Sequence, residues 1–493
     1  MNKDDRVYFD LERKPLKSER EEMRRRRISA VIRFFSYLLV LLVGLGAGFF
    51  LSRFVRTNSK TDSNAIISEI KYVMQKNWLY GSEYEDLDNE LEYRAIVGMT
   101  SDENDPYTSY MSREEMEEFA ASINLDYVGI GVQYSPSTGV PIVLRVFKDS
   151  PADKAGMQAG DIIKTIDGIL IDEDNINDLK ELVTGERGSI VELEVQRGNE
   201  LIDLKIVRDS INSTVYASKE DDCVVMEIES FGESTASEIE KYLSDFEDED
   251  KLIVDLRNDT GGYQTAVRDC LRLFIGANKP YLKQVDVNGK EEIDYTLNGK
   301  VFENFKNIVI LTNENTASAA EVFALVMKEE VENVTLVGET TFGKGVIQTN
   351  RYLSDGGILK LTSYYWYSPK GTSVHEEGIK PDIEVKMPDI YYESYYSLEE
   401  DETYEYDSVS DSIRVTQIAL DFLGYDVGRK DGYFDKTFAK ALNAFKLDYG
   451  LPDDEVLDSK TFEQVVSRTR YVLSTDKSKD SQLMKAIEVL HEN

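Results

Sequence analysis

Between Arg33 and Arg53 the chain runs eighteen residues, Phe34 to Leu51, without a charge. That is just enough helix to cross a hydrocarbon core of about 30 Å. Close before it stand Arg24, Arg25, Arg26, Arg27 and Arg33. By the positive-inside rule they hold the N-terminus in the cytoplasm and send everything after about residue 55 outward. A cleaved signal peptide is the alternative. The long charged region ahead of the run, and the lack of a clean small-x-small site behind it, favour an uncleaved anchor. The expected arrangement is a basic cytoplasmic tail (residues 1–33), a single transmembrane segment (34–52) in the plasma membrane, and an extracytoplasmic body.

At 493 residues the body is too long for one hydrophobic core, and about three domains are expected. Net charge is −36, but residues 1–60 hold 14 Lys/Arg against 7 Asp/Glu, which leaves about −43 for the remainder. A body so acidic repels phosphate backbones, so nucleic acid is excluded as a partner. Cys223 and Cys270 are the only cysteines, and each sits in an apolar run. They read as core residues; two cysteines exclude a disulfide scaffold and a Cys-rich zinc site, and no metal or cofactor is expected. His375 and His491 are the only histidines, which limits the imidazole chemistry open to the chain.

Apolar periodicity predicts helices in residues 61–120, with Asp105-Pro106-Tyr107 as a turn. Residues 121–207 alternate short strands with glycine turns. Residues 208–387 alternate apolar strands with helical stretches, an α/β pattern. Residues 388–407 form an acidic, tyrosine-rich linker, 408–475 a compact helical unit, and 476–493 a charged tail. The fold class is multidomain α/β.

Val128-Gly129-Ile130-Gly131 enters a strand, where successive backbone N–H groups can converge on a peptide's terminal carboxylate. Alone it is better read as a tight turn. It is followed by Ser150-Pro151-Ala152-Asp153-Lys154-Ala155-Gly156 and then Gly160-Asp161-Ile162-Ile163. That order resembles a PDZ domain over residues 121–207, a β-rich module with two helices that binds C-terminal peptides by strand addition.

Two apolar strands lead to candidate chemistry. Leu252-Ile253-Val254-Asp255-Leu256 runs into Arg257-Asn258-Asp259-Thr260-Gly261-Gly262, and Asn307 to Thr312 runs into Asn313-Glu314-Asn315-Thr316-Ala317-Ser318-Ala319-Ala320-Glu321. Both turns lie beyond strand carboxyl ends, where α/β sheets place their sites. Ser318 would begin a helix, leaving the first-turn N–H of Ala319 without an intrahelical partner, and Gly262 could supply a second oxyanion donor. A structural reading is equally simple: Thr316 or Ser318 caps the helix, and the glycines make a turn. The segment Gly338 to Gln348 shifts the balance, because it sets Lys344 between Gly343 and Gly345. A lysine can act as general base when burial makes it neutral. Gln348, four residues on, would share its face on either a helix or a strand and hold the amine. A Ser–His arrangement would have to use His375.

These motifs together resemble the carboxyl-terminal processing (tail-specific) proteases, the S41 peptidases, over residues 62–387. They comprise Ala95 to Met99, the Asp-Pro-Tyr turn, the PDZ, Asp255 to Gly262, Asn313 to Glu321 and Thr341 to Gln348. The resemblance implies a crotonase/ClpP-like α/β core with the PDZ inserted as a gate. It makes Ser318 the nucleophile, Lys344 its base, Gln348 the residue that orients the base, and the N–H groups of Gly262 and Ala319 the oxyanion donors. It implies no cofactor, and protein or peptide substrates with free C-termini. Asp259-Thr260 stands where the family usually shows Asn-Pro, and Ala320 where it usually has serine. The family places no catalytic role on His375.

In residues 408–475, a helix, Asp431-Gly432-Tyr433-Phe434, a second helix, Gly450-Leu451 and Asp458 to Thr461 resemble a three-helix peptidoglycan-binding module. The alternative is a helical lid that makes a homodimer and touches no glycan. Two rival functions stand beside the peptidase. One is an inactive scaffold that binds tails and wall, which would have no need of Ser318, Lys344 and Gln348 together. The other is a crotonase-like acyl-CoA enzyme, which fits poorly with export and a PDZ.

Overall fold

The computed structural model describes residues 63–135, 141–172, 175–197, 200–394, 398–399 and 401–492. The uncharged run at 34–51 lies outside them; among the described residues no helix is long and apolar enough to cross a membrane. Two compact units are present, one ending at Met99 and one starting at Thr100. The first holds the helix Ser63–Asn77, a 3-10 turn at Leu79–Glu83 and most of the helix Leu87–Thr100. Lys71 pairs with Asp88 at 2.7 Å and also with Glu92, and Trp78 stacks on Tyr84. Ile66, Ile67, Ile70 and Val73 stay exposed.

The larger unit is built on a six-stranded sheet in the spatial order Val215–Glu220, Cys223–Ile228, Lys251–Asp255, Asn307–Thr312, Val334–Gly338, Ile383–Glu384. Its first pair is antiparallel and the others parallel. Parallel strands need cover on both faces, and alternation along each strand supplies apolar residues to both. Val224, Met226, Leu252, Val254, Ile308, Ile310 and Leu336 pack under the helices Thr235–Asp245, Gln264–Ile275 and Ala319–Glu330. Cys223, Ile253, Val309, Leu311 and Val337 face the other way, onto Leu483, Ala486, Ile487, Val489 and Leu490.

Those last residues belong to the stretch read from sequence as a charged tail. It is instead a 3-10 turn, Lys477–Lys479, and a helix, Ser481–Glu492, whose inward face repeats at helical spacing while its charges face water. The charges obscured the period. Residues 388–407 likewise do more than link: Ile390 and Leu398 are buried in the C-terminal unit, and Thr403–Tyr404 pairs with Leu457–Asp458.

A second, antiparallel sheet joins Ser109–Met111, Ile358–Tyr367, Pro280–Asp286 and Glu291–Tyr295, with Val346–Tyr352 also paired to Ile358–Tyr367. The PDZ-like region has its own sheet, ordered Val132–Ser135, Ile142–Val146, Ile162–Ile166, Ile190–Arg197, Glu200–Val207. Val132–Ser135 is an edge strand. In the Ser-Pro-Ala-Asp turn, the Ser150 hydroxyl accepts from the Asp153 N–H, and the buried Asp161 takes both arms of Arg197 at 2.7 Å. The C-terminal helices Asp411–Phe422, Lys436–Asp448 and Ser459–Thr475 close on Phe434, Phe438, Leu442, Phe445 and Phe462.

Candidate active site

Three neighbouring parallel strands end on one side of the main sheet, and each carboxyl end carries a loop of interest. Lys251–Asp255 leads to Gly261-Gly262, Asn307–Thr312 to Ser318, and Val334–Gly338 to Lys344. Ser318, Ala319, Gly261, Gly262, Lys344 and Gln348 all line one cleft of about 490 Å³.

Ser318 stands at the N-cap of its helix with φ 57° and ψ −117°, a region L-residues seldom enter. Neighbouring bonds impose that conformation. The buried Thr316 hydroxyl donates to the Leu256 carbonyl at 2.8 Å, the Ala317 N–H donates to the Asp259 carbonyl at 2.9 Å, and the Ser318 N–H donates to the Glu321 carboxylate at 2.8 Å. A Cβ on Gly261 would stand 2.8 Å from Ser318 Cβ and 2.9 Å from the Ala319 nitrogen, so this glycine lets the two loops touch. Gly262 has a different reason to be glycine. Its φ is 151° and a Cβ there would meet the Phe231 carbonyl oxygen at 2.3 Å.

Glu321 is the residue that the sequence reading undervalued. Fully buried one turn into the serine helix, its carboxylate accepts from the N–H groups of Ser318, Gly343 (2.8 Å) and Lys344 (2.9 Å) and from the Thr341 hydroxyl (2.6 Å). One side chain thus ties the serine turn to the lysine loop. The signal was present as a Glu three residues after a helix-starting serine, the spacing of a capping box. Burial raises the Glu321 carboxyl above its ordinary range, and the four donors oppose that rise.

Lys344 lies in the loop before the strand Val346–Tyr352, not on it, and the register slips between Ile347 and Gln348. The shared-face argument from i to i+4 spacing therefore fails, although both side chains do line the cleft. Lys344 is half-buried, with its Nζ 4.5 Å from the centre of the Tyr107 ring. Burial lowers its pKa, the Lys360 ammonium lowers it further, and Glu321 pulls the other way. The Gln348 amide nitrogen donates to the Thr362 hydroxyl at 3.2 Å, which donates in turn to Asp105 at 2.9 Å. Asp105 also accepts from the N–H groups of Tyr107 and Thr108. The turn read only as punctuation thereby sets Tyr107 over the lysine and anchors the partner of Gln348. His375 lies outside the cleft lining; its Cβ backs against Gly345 and its ring meets Tyr365 edge-on.

Residues 222–385 match the description Peptidase family S41, residues 142–197 a PDZ domain and residues 409–465 a peptidoglycan binding domain. Carboxy-terminal processing protease CtpA of Bacillus subtilis is 34% identical over 82% of this chain and 86% of its own length. Its paralogue CtpB is 33% identical over 84% and 88%. The chain belongs to peptidase family S41. It is a serine-type peptidase that carries a PDZ domain and a peptidoglycan-binding domain. The photosystem II D1 C-terminal processing protease is 23% identical over 66% of this chain and 94% of that one, with a TM-score of 0.38, a superposition too loose to carry detail.

Two positions depart from the usual S41 pattern. Asp259 is fully buried; one oxygen accepts from the Gly261 N–H at 2.8 Å and the other has no partner among the described residues. Burial without a countercharge pushes its carboxyl well above the usual range, which disfavours the charged form. Ala320 is buried inside the serine helix and faces no cleft residue role.

In the PDZ domain, Val128 and Gly129 sit in the short strand Tyr127–Gly129, paired with Asp209–Ile211. Ile130 turns its side chain into the domain core, which leaves only its backbone for a ligand. Gly131 has φ 77°, and a Cβ there would strike Ser150 at 2.4 Å. None of the four lines the catalytic cleft.

Proposed function

We propose that this S41 peptidase is a plasma-membrane-anchored, extracytoplasmic endopeptidase that trims proteins near their C-terminal tails by a Ser318–Lys344 dyad. The observation that carries the reading is the junction itself. A serine in a strained turn and a half-buried lysine whose charge is disfavoured line one cleft, and a single buried carboxylate fastens their loops together. Neutral Lys344 takes the Ser318 proton, and the serine oxygen attacks the scissile carbonyl. The N–H groups of Gly262 and Ala319 receive the developing oxyanion. Protonated Lys344 then delivers its proton to the leaving amine, and water hydrolyses the acyl-enzyme through the same base. Gln348 steadies the amine; with its nitrogen on Thr362, its oxygen is the end offered to the lysine.

The PDZ offers an open edge strand, Val132–Ser135, beside the loop Val128-Gly129-Ile130-Gly131, which suits a free C-terminal peptide added as a further strand. The arginine cluster before Phe34 supports the anchor and its orientation. The C-terminal domain would hold the enzyme at peptidoglycan. The exposed Ile66, Ile67, Ile70 and Val73 would suit a homodimer through the first unit. The deciding experiment incubates residues 60–493 with an unfolded protein. Shortened products are expected from the parent sequence and none from Ser318→Ala; equal cleavage by both would remove Ser318 from the mechanism.

A further inference from the structure

The eighteen residues after the peptidoglycan-binding domain return to the protease sheet, and their first turn meets the bases of two catalytic loops. Arg257 opens the loop that ends in Gly262. Its guanidinium lies between two carboxylates: Asp255, at 2.9 and 2.6 Å, and Asp480, at 2.9 and 2.8 Å. All three side chains are shielded, with 13 to 14% of their surface exposed. Ionic hydrogen bonds so shielded are costly to break from one side, because a buried charge is left behind, and a planar guanidinium gripped on both edges has little freedom left. Arg257 Nη1 also donates to Gln482 Oε1 at 3.2 Å. The Gln482 amide nitrogen in turn donates to the Val385 carbonyl at 2.8 Å and reaches Glu339 at 3.4 Å. Glu339 is the residue at which the lysine loop begins, and its N–H and carbonyl are both bonded to Thr312, at the base of the serine turn.

The same helix covers the second face of the catalytic sheet, as described above, and its far end is tied by His491 to Asp222 at 2.6 Å. The protease core is therefore discontinuous in sequence: the strands end at Glu384 and the helix that completes them begins at Ser481.

We propose that Asp480, supported by Gln482, is a positioning residue for catalysis: through Arg257 and Glu339 it fixes the loops that carry Gly262 and Lys344. The path from Arg257 to the reacting groups is short. The Asn258 N–H donates to the Asn313 side chain, whose amide donates back to Asn258, both at 2.9 Å. Asp259 then accepts from Gly261 through its side chain and from Ala317 through its carbonyl. Asp480 and Gln482 thus reach the bases of both loops from the terminal helix. The positioning role rests on the Ser318–Lys344 reading above.

Asp480 has a second, separable task, because its Oδ1 accepts the Leu483 N–H at 2.9 Å and so caps the helix. Asp480→Asn keeps an oxygen for the cap but loses the charge on Arg257. In the full chain, with a peptide substrate, kcat for Asp480→Asn is expected to fall about tenfold with KM held within about twofold and the melting temperature lowered less than in Ile487→Ala. Asp480→Glu, which restores the charge, should recover a large part of kcat. Ile487→Ala, on the buried face of the same helix and remote from Arg257, should lower the melting temperature more and leave kcat unchanged. Full kcat in Asp480→Asn would overturn the proposal. So would an equal loss of kcat in Ile487→Ala, which would mean that general helix stability, not Asp480, governs the rate. Ser318→Ala run beside them separates the two readings: if it still cleaves, the dyad is wrong, whereas an inert Ser318→Ala with a fully active Asp480→Asn removes only this inference.

Discussion

The loops proposed to carry the protease chemistry and the loop proposed to read the substrate tail are both glycine-bearing turns beside strands, yet they are built in opposite ways. The serine turn and lysine loop are locked by buried polar bonds, with four donors on Glu321 and a chain from Gln348 through Thr362 to Asp105. The PDZ loop is held from behind. The Ile130 carbonyl accepts from Ala152 and the Gly131 carbonyl from Phe147, while the Ile130 side chain sits in the core and the adjoining strand has one strand partner among the described residues. Catalysis needs donors fixed before the charge develops, so its loops spend their polar groups on one another. Recognition by strand addition needs groups left over for a partner. Pre-organisation marks one site and incompleteness the other.

The contrast breaks most readily at Glu321. Glu321→Gln keeps the shape but turns an amide toward donors that require an acceptor, and a buried N–H left unsatisfied costs about 1–3 kcal/mol. A loss of about a hundredfold in kcat is expected, measured with a short chromogenic peptide that does not need the PDZ. Retention of full kcat would mean the two loops hold themselves.

At the PDZ the expected effect is smaller and falls on binding. Charge-assisted bonds to a terminal carboxylate are worth about 1.5–3 kcal/mol, so amidating a substrate's C-terminus should raise KM about tenfold and leave the short chromogenic peptide unaffected. Equal KM for the acid and the amide would reduce Val128-Gly129-Ile130-Gly131 to a structural turn.

The smallest effect concerns Asp259. Its folded carboxyl binds protons more tightly than the unfolded value of about 3.9, so its contribution to stability is fully present below about pH 4 and is lost as pH rises through the raised folded value. Asp259→Asn removes that dependence. Thermal melts should show the variant more stable than the parent at pH 8, by about 2 °C or more, and not at pH 4. An unchanged difference at both pH values would show that Asp259 is compensated by a group it does not touch in the structure.

The candidate site was legible in the sequence because its residues are packed into short motifs that follow apolar strands; Ser318, Lys344, Gly262, Ala319 and Gln348 do line one cleft. What escaped were partnerships across long stretches of chain. Nothing near Asp105 announces that it holds Thr362, and nothing near Asp480 announces Arg257, 223 residues earlier. The terminal helix was missed for a related reason: its apolar face shows only against a sheet that sequence cannot place beside it. The spacing argument for Gln348 reached the right cleft by a wrong route, since the strand begins after Lys344 and slips register before Gln348.

The central claim is that Lys344, its charged form disfavoured by burial and by Lys360, is the base for Ser318. It is tested most directly by cleavage of one substrate, across pH, with Lys344→Ala and His375→Ala compared side by side. The account predicts that Lys344→Ala is as inactive as Ser318→Ala, because members of one catalytic unit are not additive. His375→Ala should stay largely active, with a rate that still climbs with pH as the lysine sheds its proton. An inactive His375→Ala beside an active Lys344→Ala would make this a serine–histidine hydrolase and contradict the account.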